Sequence, residues 1–463
     1  MVQAAAKVLE RLRRHPRLAE AALVLGLVVV SVAVLRQPAL GQRFTVDESR
    51  WIATSRYFWT TFVERDLFGP AWQPNYLVLT QPPVARYLIG FGLWLQGWSP
   101  DQLNGRYDSL RGYAFNEEAG NVPGPELLAA ARRTVFVFAV GAVLLLYLVG
   151  RSVGGPLAGL LAAALALANP LLSTLWTRAL AEAPLAFFSL LALLLALTSL
   201  GRARPGGARR GSGVALGLAA ATKLSGVLGG LGLALFALLE QGFGWWRARH
   251  FEARRSWLVL GLGGLVVFVV ANPLLYPDPI GRSLGMFDHR REEMLQQQLI
   301  WPSQAVRDDL VSRMWLIGRR VFRDYGSLPG RGWLPLDASL AVIGLGIALL
   351  ATWRDVVARR RLGPPAMLLC WSLALYGGVA ATLGFDSSHY YAPLVAANVL
   401  LEAVALAALA PWVASRSQYT QAPETNIGSR MAQTSITAAT PTHGSGPRAA
   451  RSSGVVVQAK PPA

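Results

Sequence analysis

An acidic pair, Asp47-Glu48, stands in the stretch Phe44-Thr45-Val46-Asp47-Glu48-Ser49-Arg50-Trp51, about a dozen residues after an apolar run. A carboxylate at such a boundary can accept a proton from an attacking hydroxyl. The same residues also suit a helix start, with Thr45 or Asp47 as cap and Glu48 in the first turn. Cations suited to a departing anion occur at Arg132-Arg133 and Lys223. The arginines open an apolar run, where they could snorkel to lipid phosphate or hold a carrier phosphate. Lys223 lies within Ala221-Thr222-Lys223-Leu224-Ser225-Gly226, and the only other lysines are Lys7 and Lys460. Flanked by apolar residues, it needs an anionic partner, and a phosphate or Glu182 would serve. Glu182 begins another apolar run, four residues after Arg178, so an ion pair on one helix face is the simplest reading. Asp278 falls in a proline-rich turn over 272–279, which could be purely structural. His389 and Tyr390 belong to Asp386-Ser387-Ser388-His389-Tyr390-Tyr391-Ala392-Pro393. A lone histidine is more often a satisfied polar group than a ligand. Five His and one Cys make a closed His/Cys metal site a poor fit, so no metal ligands are assigned. Cofactor use stays open, since an acidic site could still hold a hard divalent ion.

The elements that must position these residues are membrane helices. Of the 463 residues, 53% are hydrophobic and 15% charged, against about 25% charged in soluble domains. Apolar runs recur at 21–35, 135–149, 156–172, 184–200, 257–271, 338–351, 367–383 and 393–413. Each approaches the roughly 20 residues that cross a bilayer, and in lipid the backbone must be helical. The expected fold is all-α and polytopic, with about ten transmembrane helices and further helices at the outer interface. The formal charge of +18 does not indicate nucleic acid, because the arginines gather in short connections between apolar runs. Cys370, alone in an apolar run, reads as a small buried hydrophobe. The basic-then-apolar N-terminus is expected to be a retained first span.

Arginine-rich connections face the cytoplasm. The basic N-terminus at 1–17, the loops at 202–210, 247–255 and 354–361, and the tail at 414–463 are all expected inside. The tail's Ser/Thr/Ala/Pro/Gln composition predicts disorder. Parity then requires that 83–98 lie in or re-enter the outer interface, and that 213–240 form two short helices or a re-entrant pair turning near Lys223. The embedded core is expected over 18–412, in an inner or plasma membrane. Its large outer segments, 36–131 and 272–335, collect most acidic residues that are not beside an arginine-rich loop.

Read in order, these segments resemble the C-type (GT-C) membrane glycosyltransferases that use lipid-phosphate sugars. The closest branches are the protein O-mannosyltransferases and the aminoarabinose transferases of lipid A. The resemblance rests on Asp47-Glu48, Gln81-Pro82-Pro83, Arg132 or Arg133, and Arg178-x3-Glu182-x-Pro184-Leu185. It continues through Thr222-Lys223, the run from Asn272 to Pro279, and Tyr390-Tyr391-x-Pro393, covering about residues 18–412. Glu182 and Gln81 depart from the family's usual Asp and His/Lys. The resemblance implies transfer of a glycosyl group from a polyprenyl- or dolichyl-phosphate donor to a hydroxyl, by one inverting displacement on the outer face. Asp47 would be the base. Arg132, Arg133 and Lys223, assisted by His389 or Tyr390, would stabilise the phosphate. Glu48 and Glu182 would position sugar hydroxyls or orient those cations, with Asp278 also near substrate. A transporter, or a non-catalytic subunit of an envelope-assembly system, is the alternative. A transporter would show an internal repeat and midplane ionisable groups, and no repeat is evident. The sugar and the acceptor are not specified by the sequence.

Overall fold

The computed structural model describes residues 15–200, 206–248, 252–328 and 335–420. Most of the basic N-terminus, Arg202 and Arg204, the connection at 249–251, and the tail beyond 420 lie outside them. The chain divides into two compact units, Met1–Trp412 and Val413–Ala463. The first contains every expected site residue. Of the second, only 413–420 is described, as helix.

The helices, in order, are α1 (Pro16–Gly41), α2 (Val46–Thr54), α3 (Tyr76–Thr80), α4 (Val84–Leu95), α5 (Tyr113–Glu118), α6 (Pro125–Ala168), α7 (Pro170–Trp176), α8 (Glu182–Ser199), α9 (Gly206–Thr222) and α10 (Gly226–Ala248). There follow α11 (Glu252–Val270), α12 (Pro279–Ile300), α13 (Leu310–Arg319), α14 (Leu336–Arg354), α15 (Pro364–Thr382) and α16 (Ser388–Thr420). Among the described residues, seven helices are long and apolar enough to cross a membrane. At 44 residues, α6 would be about 66 Å long if straight, about twice a bilayer core. It does not run straight. Gly155 takes φ +86°, open to glycine but strained for other residues, and Pro156 follows. The second half folds back on the first, bringing Gly159 against the carbonyl of Tyr147. This break accounts for the separate runs expected at 135–149 and 156–172.

The expected interfacial segment forms α4, twelve residues starting just after Pro83. At about 18 Å it is too short to span. The turn expected near Lys223 joins α9 to α10, whose arms extend beyond the expected limits to Gly206 and Ala248. The largest apolar core runs through α6, α8, α15 and α16, where alanine and leucine fill the contacts. Close approach of α9 to α11 depends on small residues. A Cβ on Gly213 would meet the Leu260 carbonyl at 2.4 Å, and one on Gly217 the Gly264 carbonyl at 2.4 Å. Such small-xxx-small contacts are a common way to join helices where lipid removes the hydrophobic drive.

Gly213→Leu should therefore force α9 off α11 and cost about 1–3 kcal/mol, read as a lowered melting temperature in detergent. Gly261→Leu, on α11 with nothing within 4 Å of its would-be Cβ, should leave the melting temperature nearly unchanged.

Candidate active site

Thr45, extended at φ −123°, starts α2, and its N–H donates to Glu48 Oε2 at 3.2 Å. Glu48 is 0% exposed and turned inward. Arg132, about two turns into α6, forks onto it, with Nε on Oε1 at 2.7 Å and Nη2 on Oε2 at 2.8 Å. The backbone N–H of Ala179 completes Oε1 at 3.0 Å. The remaining donors of Arg132 reach the carbonyls of Ala39, in the last turn of α1, and of Gln42 and Arg43 just past its end. Gln42 bridges onward, donating to Thr177 Oγ1 at 2.8 Å and accepting from Arg178 Nε at 2.7 Å. One bidentate pair thus ties the end of α1, the start of α2, α6 and the turn ahead of α8. A buried pair of this kind stands only when its remaining groups are also hydrogen-bonded, as they are here.

The residue preceding Glu48 in α2 faces another side. Asp47 is nearly half exposed, and His389 Nε2 lies 3.3 Å from its Oδ2. His389 Nδ1 lies 2.8 Å from Glu182 Oε1, and Lys223 Nζ donates to the same oxygen at 2.7 Å. The four side chains make one line, Asp47–His389–Glu182–Lys223. They come from the first turn of α2, the start of α16, the start of α8 and the α9–α10 turn. With a carboxylate at each ring nitrogen, only a doubly protonated imidazole can donate to both. The surrounding protein pushes the carboxyl of Asp47 up. The hydrogen bond and charge of His389, with Arg50, outweigh that and a smaller push from Glu182, holding it below the usual carboxylate range. Glu182 is buried, and its Oε2 has no partner. Glu182 and His389 also line a narrow cavity of about 30 Å³ walled by Trp176, Leu185, Trp371 and Leu375.

Beside this line, Arg290 of α12 donates to the Tyr390 hydroxyl and pairs with Glu293, which accepts from Tyr76. Arg320 pairs with Asp386, whose Oδ1 also accepts from Tyr391 at 2.8 Å. Among the described residues, no group of three or more His, Cys, Asp or Glu is placed to hold a metal ion.

The expected site residues thus separate. Asp47, Glu182, Lys223 and His389 meet, and Tyr390, next to His389 in the chain, turns to Arg290 instead. Glu48 and Arg132 do not reach the open side, because each is spent on the other and on backbone. The cation that Glu48 holds is the buried Arg132. Arg133 is exposed and donates to Gln96 Oε1 at 3.0 Å, at the end of α4. Asp278 is an exposed cap that accepts from Gly281 N at 2.9 Å. The simple Arg178–Glu182 pair does not form, because residues 177–181 are a turn and Arg178 swings to Gln42. Arg290, Glu293 and Tyr76 were not singled out from sequence. An Arg and a Glu three apart on an amphipathic helix look like an ordinary solvated pair.

This architecture has known counterparts. Residues 126–276 match the family described as dolichyl-phosphate-mannose-protein mannosyltransferase. The matched stretch contains Arg132, Glu182 and Lys223 but neither Asp47 nor His389. ArnT from Cupriavidus metallidurans in the apo state superposes with a TM-score of 0.52 at 20% identity, over 87% of this chain and 63% of that one. The same protein bound to undecaprenyl phosphate gives 0.51 at 19%, over 86% and 62%. The fold of this chain is shared with ArnT. An oligosaccharyltransferase from Archaeoglobus fulgidus shares it more distantly, with a TM-score of 0.50 at 14% identity over 86% of this chain and 51% of that one. The chain spans less than two thirds of the length of the ArnT chains it matches. No curated protein gave a significant sequence match.

Neighbouring carboxylates should respond oppositely to the same change. Glu48→Gln leaves Arg132 buried without its counter-charge and should cost about 3–5 kcal/mol, seen as lost folded yield and a lowered melting temperature in detergent. Asp47→Asn, half exposed and outside the lock, should melt within a few degrees of wild type.

Proposed function

We propose that this multi-pass membrane protein transfers a glycosyl group from a polyprenyl- or dolichyl-phosphate sugar to an acceptor hydroxyl, with inversion. The observation that carries the proposal is the Asp47–His389–Glu182–Lys223 line, with its one half-exposed carboxylate at the open end, in a glycosyltransferase fold. The site would face outward from a cell membrane, with both termini cytoplasmic.

The acceptor oxygen bonds to the anomeric carbon as the bond from that carbon to the phosphate oxygen breaks. The electron pair leaves on the phosphate, and the hydroxyl proton passes to Asp47. A base must be ionised to act, and the lowered pKa of Asp47 keeps it so at neutral pH. Such a base is weak, which suits a reaction whose leaving phosphate already carries much of the driving force. The departing charge needs preorganised cations. We assign that role to Lys223, at the end of the line, and to Arg290, which holds the hydroxyl of Tyr390, the residue after His389. Arg132 does not, since it is bound within the lock. His389 holds Asp47, while Glu182 holds both His389 and Lys223.

Membranes supplied with a panel of radiolabelled polyprenyl-phosphate sugars should move label from lipid to an aqueous or protein fraction. Asp47→Asn should lower that rate by roughly 10²–10⁴-fold, the usual worth of a positioned base. Equal turnover by the variant would remove Asp47 from the mechanism. The pH profile gives a separate check. Wild type should lose kcat/KM in acid only below the ordinary carboxylate pKa of about 3.9. His389→Gln removes the hydrogen bond and charge that lower Asp47 most, keeps the smaller pull of Arg50, and leaves the burial that raises it. Its acid limb should therefore move to higher pH, and an unmoved limb would contradict the assigned coupling.

A further inference from the structure

Residues three or four apart superpose on a helix face. Along α2 that places Asp47, Arg50, Thr54 and, just past its end, Tyr57 on one stripe. Asp47 heads the stripe. Thr54 and Tyr57, at its far end, line a separate pocket of about 340 Å³ with Arg56, Thr60, Leu77 and Arg106. That volume suits a small ligand or the head of a larger one. Seven residues of helix separate Asp47 from Thr54, about 10 Å.

The pocket wall holds no carboxylate. Arg56 is fixed by neutral acceptors, donating to the carbonyls of Ala53 at 2.9 Å, Asn104 at 3.0 Å and Leu103 at 2.8 Å. These bonds orient its guanidinium without cancelling its charge. Asp101, exposed, offsets it only in part. Arg106 is exposed, and no hydrogen bond or ion pair engages it among the described residues. Arg86 stands immediately behind the wall and is fully buried. Its Nη2 donates to Leu77 O at 2.8 Å and Gln81 Oε1 at 2.9 Å, and its charge lies 5.2 Å from the Tyr57 ring centroid. Its Nε and Nη1 have no partner, and it too lacks a carboxylate. Burial pulls this guanidinium down to about 10, and Arg106 adds to the pull, so the charges act on the same region.

Guanidinium groups collected without counter-charge make a binding site for an oxyanion. Several positive charges on one pocket match a dianionic phosphate monoester better than a single carboxylate. We propose that this pocket binds a phosphate group carried by the acceptor, so that the enzyme selects a phosphorylated acceptor and presents its hydroxyl to Asp47. The naming of the ligand as acceptor rests on the transferase reading; the anion site itself does not.

The test is a binding measurement and needs no turnover. Full-length protein in phosphatidylcholine nanodiscs is titrated calorimetrically with glucose 6-phosphate and with glucose. Wild type should bind the phosphosugar and not bind glucose. Arg106→Gln, a change at an exposed and unpartnered residue, should weaken phosphosugar binding about tenfold, the loss of one charge-assisted hydrogen bond, and Arg106→Glu should abolish it. In nanodiscs containing phosphatidylglycerol, unchanged affinity assigns the site to a soluble phosphorylated acceptor, whereas competitive loss assigns it to an anionic lipid headgroup. Binding that ignores both Arg106 variants, binding of glucose as tight as that of its phosphate, or no phosphosugar binding to wild type overturns the proposal. None of these outcomes depends on whether glycosyl transfer is detected.

Discussion

The buried pair between Glu48 and Arg132 sets the frame in which the remaining polar groups can act. Placing two charges in a membrane protein's interior is expensive unless every lone pair and proton finds a partner. Here the pair and its partners are drawn from four places, namely the carbonyls at and just past the end of α1, the first turn of α2, α6 itself and the N–H of Ala179. Satisfying the pair therefore requires those segments to meet. Once they meet, the turn leading into α8 is fixed, and with it the position of Glu182 opposite Asp47.

Two adjacent carboxylates consequently do different work. Successive residues on a helix point about 100° apart, so Glu48 turns into the bundle while Asp47 turns to the open side. The inward one is held by a guanidinium and loses all freedom. The outward one meets His389, and beyond it Glu182 and Lys223 continue a line of alternating charge. Because these four residues come from elements far apart in the chain, the line forms only when the whole bundle is assembled. A line built this way is rigid, and its exposed end is held by groups that are themselves held.

The bundle that carries this line is joined by small residues as much as by large ones. Gly155 and Pro156 break one 44-residue apolar helix into two arms that fold together, while Gly213 and Gly217 let α9 lie on the backbone of α11. The second of these contacts fixes the hairpin whose tip is Lys223. The only lysine of the embedded core is thus delivered to Glu182 by glycine packing well below it.

Much of this was legible in the sequence. Apolar runs of membrane length dictated helices, since no other backbone satisfies itself in lipid. The arginine-rich connections and parity placed the turn at Lys223 and kept 83–98 from being a span. The isolation of Lys223 among apolar residues demanded an anion, and Glu182 was one of the two partners named. What the sequence could not decide was how neighbouring charges divide. Glu48 and Asp47 look alike in one dimension, as do Arg132 and Arg133. A rotation of about 100° between neighbours separates a structural lock from a carboxylate on the open side, and a cation spent inside from one at the edge. Likewise Arg178 and Glu182 have helical spacing but no helix between them, so their pairing failed for a reason only the backbone reveals. The sequence by itself determined the kind of protein, because lipid allows so few solutions. Tertiary structure alone decided which charges meet, because each pairing depends on a side-chain direction and on a partner carried by another element of the bundle.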